Sequence, residues 1–175
     1  QLEDLTLSLF PEILKIYEDK DFKTRHKKDG SPVTKADMLG HKLILKFLTK
    51  HYPDIPIVSE ESFLQKGYKP AKEFWLVDPI DGTKEFVNRS GEFTTNIALI
   101  QNGQPVLGVV GAPVINKIWS GISAQTPNIR KSKTLIPSAT LKIVMSKSHK
   151  TVIDTAFLNF LDKNGKKVKI ISKGS

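Results

Sequence analysis

The order of patterned segments predicts an α+β fold that closes on an alternating α/β unit. Two stretches of helical spacing come first, at residues 5–16 and 34–47. Short apolar segments with hairpin punctuation follow, between residues 55 and 122. A strand, a helix and a strand then succeed one another between residues 141 and 171.

Each element has its own signal. Leu5, Leu9, Ile13 and Ile16 recur at spacings of three and four, one face of a helix. Pro11 interrupts that face, so either a kinked helix or one that begins at Pro11 meets the pattern. Residues 19–30 are polar and charged and read as a loop. Thr34 and Asp37 stand three apart and suit a variant capping box for the next helix. Leu39, Leu43, Ile44 and Phe47 are its expected buried face, and Tyr52-Pro53-Asp54 ends it. Residues 55–58 form a short strand that delivers Ser59-Glu60-Glu61-Ser62 at its C-terminal end. Residues 74–77 form a second strand, leading into an acidic turn, and residues 93–100 a third. Asn102-Gly103 is a strong hairpin signal, with residues 105–110 as the returning strand. Residues 114–122 add a further strand. Residues 125–137 show no period and mark a soft boundary. Beyond it, residues 141–145 and 168–171 read as strands. Between them Val152, Ala156, Phe157, Phe160 and Leu161 give a helix that stops at Asn164-Gly165.

Composition narrows the function classes. The chain has 175 residues, 39% hydrophobic and 26% charged, enough for a packed core. Lys and Arg number 27 against 18 Asp and Glu, a formal net charge of +9. Such an excess suits nucleic acid or a small, multiply charged anion. The lysines are spread from Lys15 to Lys173 with no arginine-rich stripe and interleaved aromatics, so nucleic acid is not the expected partner. There is no cysteine, which excludes disulfides and cysteine-based zinc sites. No apolar run reaches the length of about 18 residues that a membrane helix needs.

The chemistry concentrates in Asp78-Pro79-Ile80-Asp81-Gly82-Thr83. Two carboxylates three residues apart follow the apolar run Phe74-Trp75-Leu76-Val77. Mg²⁺ takes oxygen ligands and shares them with substrate phosphates, so acids delivered by a strand into a turn suit a hard cation. Gly82 has no Cβ to keep backbone away from a ligand, and Thr83 adds a hydroxyl. Asp37 and the Glu60-Glu61 pair also sit at element ends, where they can converge with Asp78 and Asp81 on one or two cations. Taken singly, each acid reads first as a cap, a turn residue or a solvated surface group. His26, His41 and His51 read as surface or packing residues, since none belongs to a metal-spaced pair.

At this point the chain resembles a known family. Trp75-Leu76-Val77-Asp78-Pro79-Ile80-Asp81-Gly82-Thr83-Lys84-Glu85-Phe86 is similar to the signature of the Mg²⁺-dependent inositol monophosphatase superfamily. Val58-Ser59-Glu60-Glu61-Ser62 resembles its upstream Glu-Glu element, and Thr34-Lys35-Ala36-Asp37 its Thr-x-x-Asp element. The likeness runs from about Thr34 to Gly111. Lys84-Glu85-Phe86, Gly91-Glu92-Phe93-Thr94, residues 96–100 and Ser146-Lys147-Ser148-His149 resemble the branch of 3'(2'),5'-bisphosphate nucleotidases of the bacterial CysQ type.

The resemblance implies the layered α-β-α-β-α sandwich of the sugar phosphatases. It makes residues 1–124 an α+β domain for metal and phosphate, and residues 138–175 the incomplete start of an α/β domain. It implies two or three Mg²⁺ per site, held by Glu60, Asp78, Asp81 and the Ile80 carbonyl. Asp37 and Thr83 would position and deprotonate the attacking water, with Glu60 beside them as a catalytic group. Glu60, Ile80, Asp81, Gly82, Thr83, Lys84, Ser148, His149 and Ser175 would line the substrate, and Lys84 would meet a phosphate or pair with Glu85. The implied activity is hydrolysis of the 3'-phosphate of 3'-phosphoadenosine 5'-phosphate, giving AMP and phosphate.

The implied partner is a small phosphorylated nucleotide, not nucleic acid. A cytoplasmic location is implied, compatible with peripheral association at the inner membrane, and both monomer and homodimer stay open. The superfamily has a further metal-binding Asp in a downstream Trp-Asp-x-Ala-Ala-Gly motif, and the sequence stops at Ser175 before one. A chain missing its C-terminal part is therefore expected. Two alternatives remain, an inositol or sugar monophosphatase of the same superfamily and an inactive truncated homologue that acts as a binding protein.

Overall fold

The computed structural model describes residues 1–19, 24–26, 32–62, 71–123, 140–146 and 151–174. The expected boundary at residues 125–137 lies outside them, as do Ser148, His149 and Ser175. The chain divides into two compact units, Gln1–Pro127 and Asn128–Ser175.

In the first unit, helix α1 (Leu2–Glu18) buries Leu2, Leu5, Leu9 and Ile13 at the three-and-four spacing seen in the sequence. The helix neither begins nor ends at Pro11, which lies inside it. Proline removes one bond to the carbonyl four residues back. That carbonyl belongs to Leu7, and both Leu7 and Pro11 are on the exposed face, where water can serve it. Strands β1 (Thr24–His26) and β2 (Pro32–Thr34) form a small antiparallel ribbon, and β1 falls inside residues 19–30, the stretch expected to be all loop. Three-residue strands are too short to show a period.

Thr34 then caps α2 (Lys35–His51) through the full reciprocal box with Asp37. The buried face of α2 is Ala36, Asp37, Gly40, Ile44 and Leu48. Leu43 and Phe47 only flank it, so the face is rotated from the one hydropathy predicts. The shift has a cause: a Cβ on Gly40 would sit 3.1 Å from Pro79 Cβ, so the glycine itself is the point of closest approach.

Strands β3 (Ile57–Ser59), β4 (Glu73–Asp81), β5 (Thr94–Gln101), β6 (Gln104–Ala112) and β7 (Lys117–Ile122) make one sheet in that order. β3 and β4 are parallel and the other pairs antiparallel. Asn102 and Gly103 turn the β5–β6 hairpin with φ of 50° and 75°, the positive values such a turn requires. β4 runs further than expected, to Asp81, because a register irregularity between Asp78 and Asp81 accommodates Pro79. A five-residue helix, α3 (Thr83–Val87), follows at once and has too few turns to announce itself. Phe86 fastens it, fully buried with ring centroids 4.9 Å from Phe93 and 5.1 Å from Tyr17 of α1.

Trp75, Val77, Ile97 and Val109 point to the helices and form the core with Leu9, Ile13, Ile44 and Leu48. Alternation sends Phe74, Leu76, Asp78 and Asn96 to lining an open cavity of about 630 Å³ with Ala98 and Val110. Asp78 thus shares a surface with apolar side chains, which sets its electrostatics.

The second unit is β8 (Thr140–Ser146), α4 (Val152–Lys163) and β9 (Lys167–Lys173). β8 and β9 pair in parallel, and α4, capped by Thr151 with Asp154, is the crossover between them. The architecture is α+β, layered over a mixed sheet, with an α/β unit after it.

Candidate functional site

Asp37 lies in the first turn of α2, and its buried carboxylate is divided. Oδ2 accepts from the Thr34 backbone N–H at 2.7 Å and from Thr34 Oγ1 at 2.5 Å. Oδ1 accepts from Thr83 Oγ1 at 3.2 Å, a contact spanning 46 residues of sequence. Burial holds the Asp37 pKa above the ordinary carboxylate value, against the hydrogen bonds from Thr34.

Thr83 opens α3 and its hydroxyl has a second acceptor, the Ile80 carbonyl at 3.1 Å. Gly82 precedes it with φ 95° and ψ 42°, left-handed backbone that a side chain would strain. The motif's glycine is therefore needed for conformation as well as for approach.

Asp78 is the electrostatic centre. Its carboxyl is pushed up to about 8, first by burial, then by the charges of Glu60 and Asp81, a hydrogen bond with Glu60, and the charge of Asp37. Its Oδ1 is buried with no hydrogen-bond partner. Asp81 Oδ2 accepts from Asn96 Nδ2 at 3.0 Å, and Asn96 Oδ1 is also buried and unpartnered. The Glu60 backbone N–H donates to Val77 O at 3.0 Å, which ties the turn after β3 to β4.

The structure thus brings Asp37, Glu60, Asp78, Asp81 and Thr83 into one neighbourhood, with the Ile80 carbonyl among them. As they stand, no three His, Cys, Asp or Glu side chains among the described residues form a group able to hold a metal ion. Asp78 and Glu60 share a hydrogen bond, and Asp81 has turned one oxygen to Asn96. The donor set nevertheless fits a hard divalent cation: three carboxylates and a carbonyl, all oxygen. A buried, unpartnered Asp78 Oδ1 and a carboxyl raised by burial and by the charges of Glu60 and Asp81 point the same way.

Lys84 is exposed in the first turn of α3 and Glu85 is buried. Three neighbours of the site were not legible as such. Thr95 Oγ1 donates to Pro79 O at 2.8 Å, holding the irregular part of β4. Asn96 faces Asp78 across the ladder, and that register is knowable only once β4 and β5 are paired. His41, expected as a surface or packing residue, is half-buried, and its Nδ1 shares a 2.8 Å hydrogen bond with Ser59 Oγ. Its one sequence signal is its place four residues after Asp37, on the same helix face.

The model of the inositol monophosphatase family matches residues 5–169. The chain belongs to that family. Among its curated members, the 3'(2'),5'-bisphosphate nucleotidase CysQ of Escherichia coli strain K12 is 41% identical over 145 residues, covering 78% of this chain and 58% of the relative. The Salmonella typhimurium protein of the same name is 42% identical over 149 residues, with the same coverage. The chain thus spans 58% of the length of these curated relatives. The crystal structure of CysQ from Bacteroides thetaiotaomicron, also of the inositol monophosphatase family, superposes with a TM-score of 0.72 at 32% identity, over 98% of this chain and 70% of that one. The suhB protein of Bartonella henselae, at 18% identity and a TM-score of 0.74 over 99% of this chain and 69% of that one, shares the fold. No helix among the described residues is long and apolar enough to cross a membrane.

Proposed function

We propose that this protein is a Mg²⁺-dependent phosphatase that removes the 3'-phosphate of 3'-phosphoadenosine 5'-phosphate, giving AMP and phosphate. One observation carries the reading: a half-buried carboxyl, Asp78, crowded by Glu60 and Asp81 beside an Asp37–Thr83 hydrogen bond. The names of its relatives at 41–42% identity support the substrate. Glu60, Asp78, Asp81 and the Ile80 carbonyl would hold the cation. Bound there, Mg²⁺ supplies charge neutralisation and lowers the pKa of water.

The chain's own groups do the rest. Phosphoryl transfer needs positioning and electrostatics more than covalent chemistry. Thr83 Oγ1 accepts a proton from the attacking water while passing its own to Asp37 Oδ1, the acceptor it already faces. The raised basicity of Asp37 favours that transfer. The first N–H groups of α3, at Gly82 and Thr83, have no intrahelical acceptor and suit the phosphate oxygens. Lys84, one residue on, offers its ammonium to the second phosphate, and Ser148, His149 and Ser175 would complete the nucleotide contacts.

The test is phosphate release with Mg²⁺ from 3'-phosphoadenosine 5'-phosphate and from inositol 1-phosphate. A kcat/KM at least about a hundredfold higher for the nucleotide is expected, the discrimination that about 2.7 kcal/mol provides. The reverse preference makes the protein an inositol phosphatase. Mg²⁺-dependent nucleotide binding without release makes it a binding protein.

A further inference from the structure

Asp37, Gly40 and His41 lie on one face of α2, and each meets a different segment of the site. Asp37 meets Thr83, Gly40 packs against Pro79, and His41 reaches the end of β3 at Ser59. Ser59 is fully buried and immediately precedes Glu60. Main-chain bonds fix the start of this turn: Glu60 N to Val77 O at 3.0 Å and Ser62 N to Ser59 O at 3.0 Å. The Ser59 side chain is tied to α2 through His41 at 2.8 Å.

Resting on the assignment of Glu60 as a cation ligand, we propose that His41 is a positioning residue for it. Through Ser59, His41 sets where the Glu60 carboxylate meets Asp78, and with that the divalent-cation affinity of the site. A buried hydroxyl left without its partner costs free energy, so the imidazole–hydroxyl contact persists and transmits the place of α2 to the turn. Burial also holds the His41 ring below its ordinary pKa, against the charge of Glu61.

Mg²⁺ titration calorimetry on the purified protein tests this, alongside Mg²⁺-dependent kinetics. His41→Phe keeps the ring's bulk and removes the bond, His41→Asn restores a polar partner, and Ser59→Ala removes the other end. His41→Phe and Ser59→Ala should each weaken Mg²⁺ binding about tenfold, the low end for groups that orient a ligand. The double variant should be no weaker than either single one, and His41→Asn should recover most of the affinity. At saturating Mg²⁺, kcat should stay within about threefold of wild type, a split that a general loss of folding does not produce. Glu60→Gln is the control for the underlying site. If it leaves Mg²⁺ affinity unchanged, the ligand assignment fails and the proposal with it. If Glu60→Gln weakens binding while His41→Phe and Ser59→Ala do not, the proposal alone is overturned.

Discussion

Asp37 serves the fold with one oxygen and faces the reaction with the other. Oδ2 closes the capping box of α2, while Oδ1 faces Thr83. The two roles differ in magnitude. A helix cap is worth about 1 kcal/mol, whereas a positioned base contributes about 10²–10⁴ in rate. Asp37→Asn should therefore lower kcat by at least about a hundredfold and cost no more than about 1 kcal/mol in urea melts. Unchanged turnover would reduce Asp37 to a cap. Asp78 makes a prediction of opposite sense, about stability. Its folded value of about 8 lies above the ordinary 3.8. Between the two, the folded chain keeps a proton that the unfolded chain releases, so this group's contribution falls as pH rises. His41, held below 6.5 by burial, slopes the other way, so the comparison must be with a variant. In EDTA, Asp78→Asn should exceed wild type in Tm by a margin that widens between about pH 5 and about pH 8. Saturating Mg²⁺ should narrow it by stabilising the wild-type carboxylate. A margin that shrinks with pH in EDTA would contradict the assignment.

Among the elements, α2 fixes the geometry, and the glycine at its contact with β4 tests how closely. Gly40→Ala gains about 1 kcal/mol of helix propensity. It also places a Cβ 3.1 Å from Pro79 Cβ, so α2 or β4 must yield by a few tenths of an ångström. The terms nearly cancel in stability but not in function, because α2 carries Asp37 and His41. Denaturant melts should change by less than about 1 kcal/mol, while kcat/KM falls about tenfold, since small displacements of positioning groups are costly. Unaltered kinetics would show that the site tolerates the shift. The same glycine shows the limit of reading this element from sequence. Thr34 and Asp37 announced the start of α2 because capping is local chemistry three residues long. The face of α2 did not show, because hydropathy gives no weight to a glycine whose role is to lack a side chain. The acidic motif was legible for the same local reason. The passage of β4 through Pro79 to Asp81 was not, since it depends on Thr95 and on a register irregularity with β5.

At the scale of the molecule, the element order was legible because the hydrophobic period changes at each boundary and Asn102-Gly103 marks the hairpin. The parallel pairing of β3 with β4 was not, because no turn signal links them. Charge is the one whole-chain property the sequence states outright, and its consequence is kinetic. A net +9 attracts a multiply charged anion more strongly than a singly phosphorylated one, and salt weakens that attraction as the Debye length falls from about 10 Å at 0.1 M to about 3 Å at 1 M. Raising KCl at saturating Mg²⁺ should therefore lower kcat/KM for 3'-phosphoadenosine 5'-phosphate more steeply than for inositol 1-phosphate. Because steering acts on encounter and not on the bound complex, kcat for each should hold nearly constant across the series. Parallel slopes for the two substrates would mean that the lysines hydrate the surface without guiding the ligand. The difference in slope thus separates a basic field that selects the substrate from one that keeps the chain dissolved.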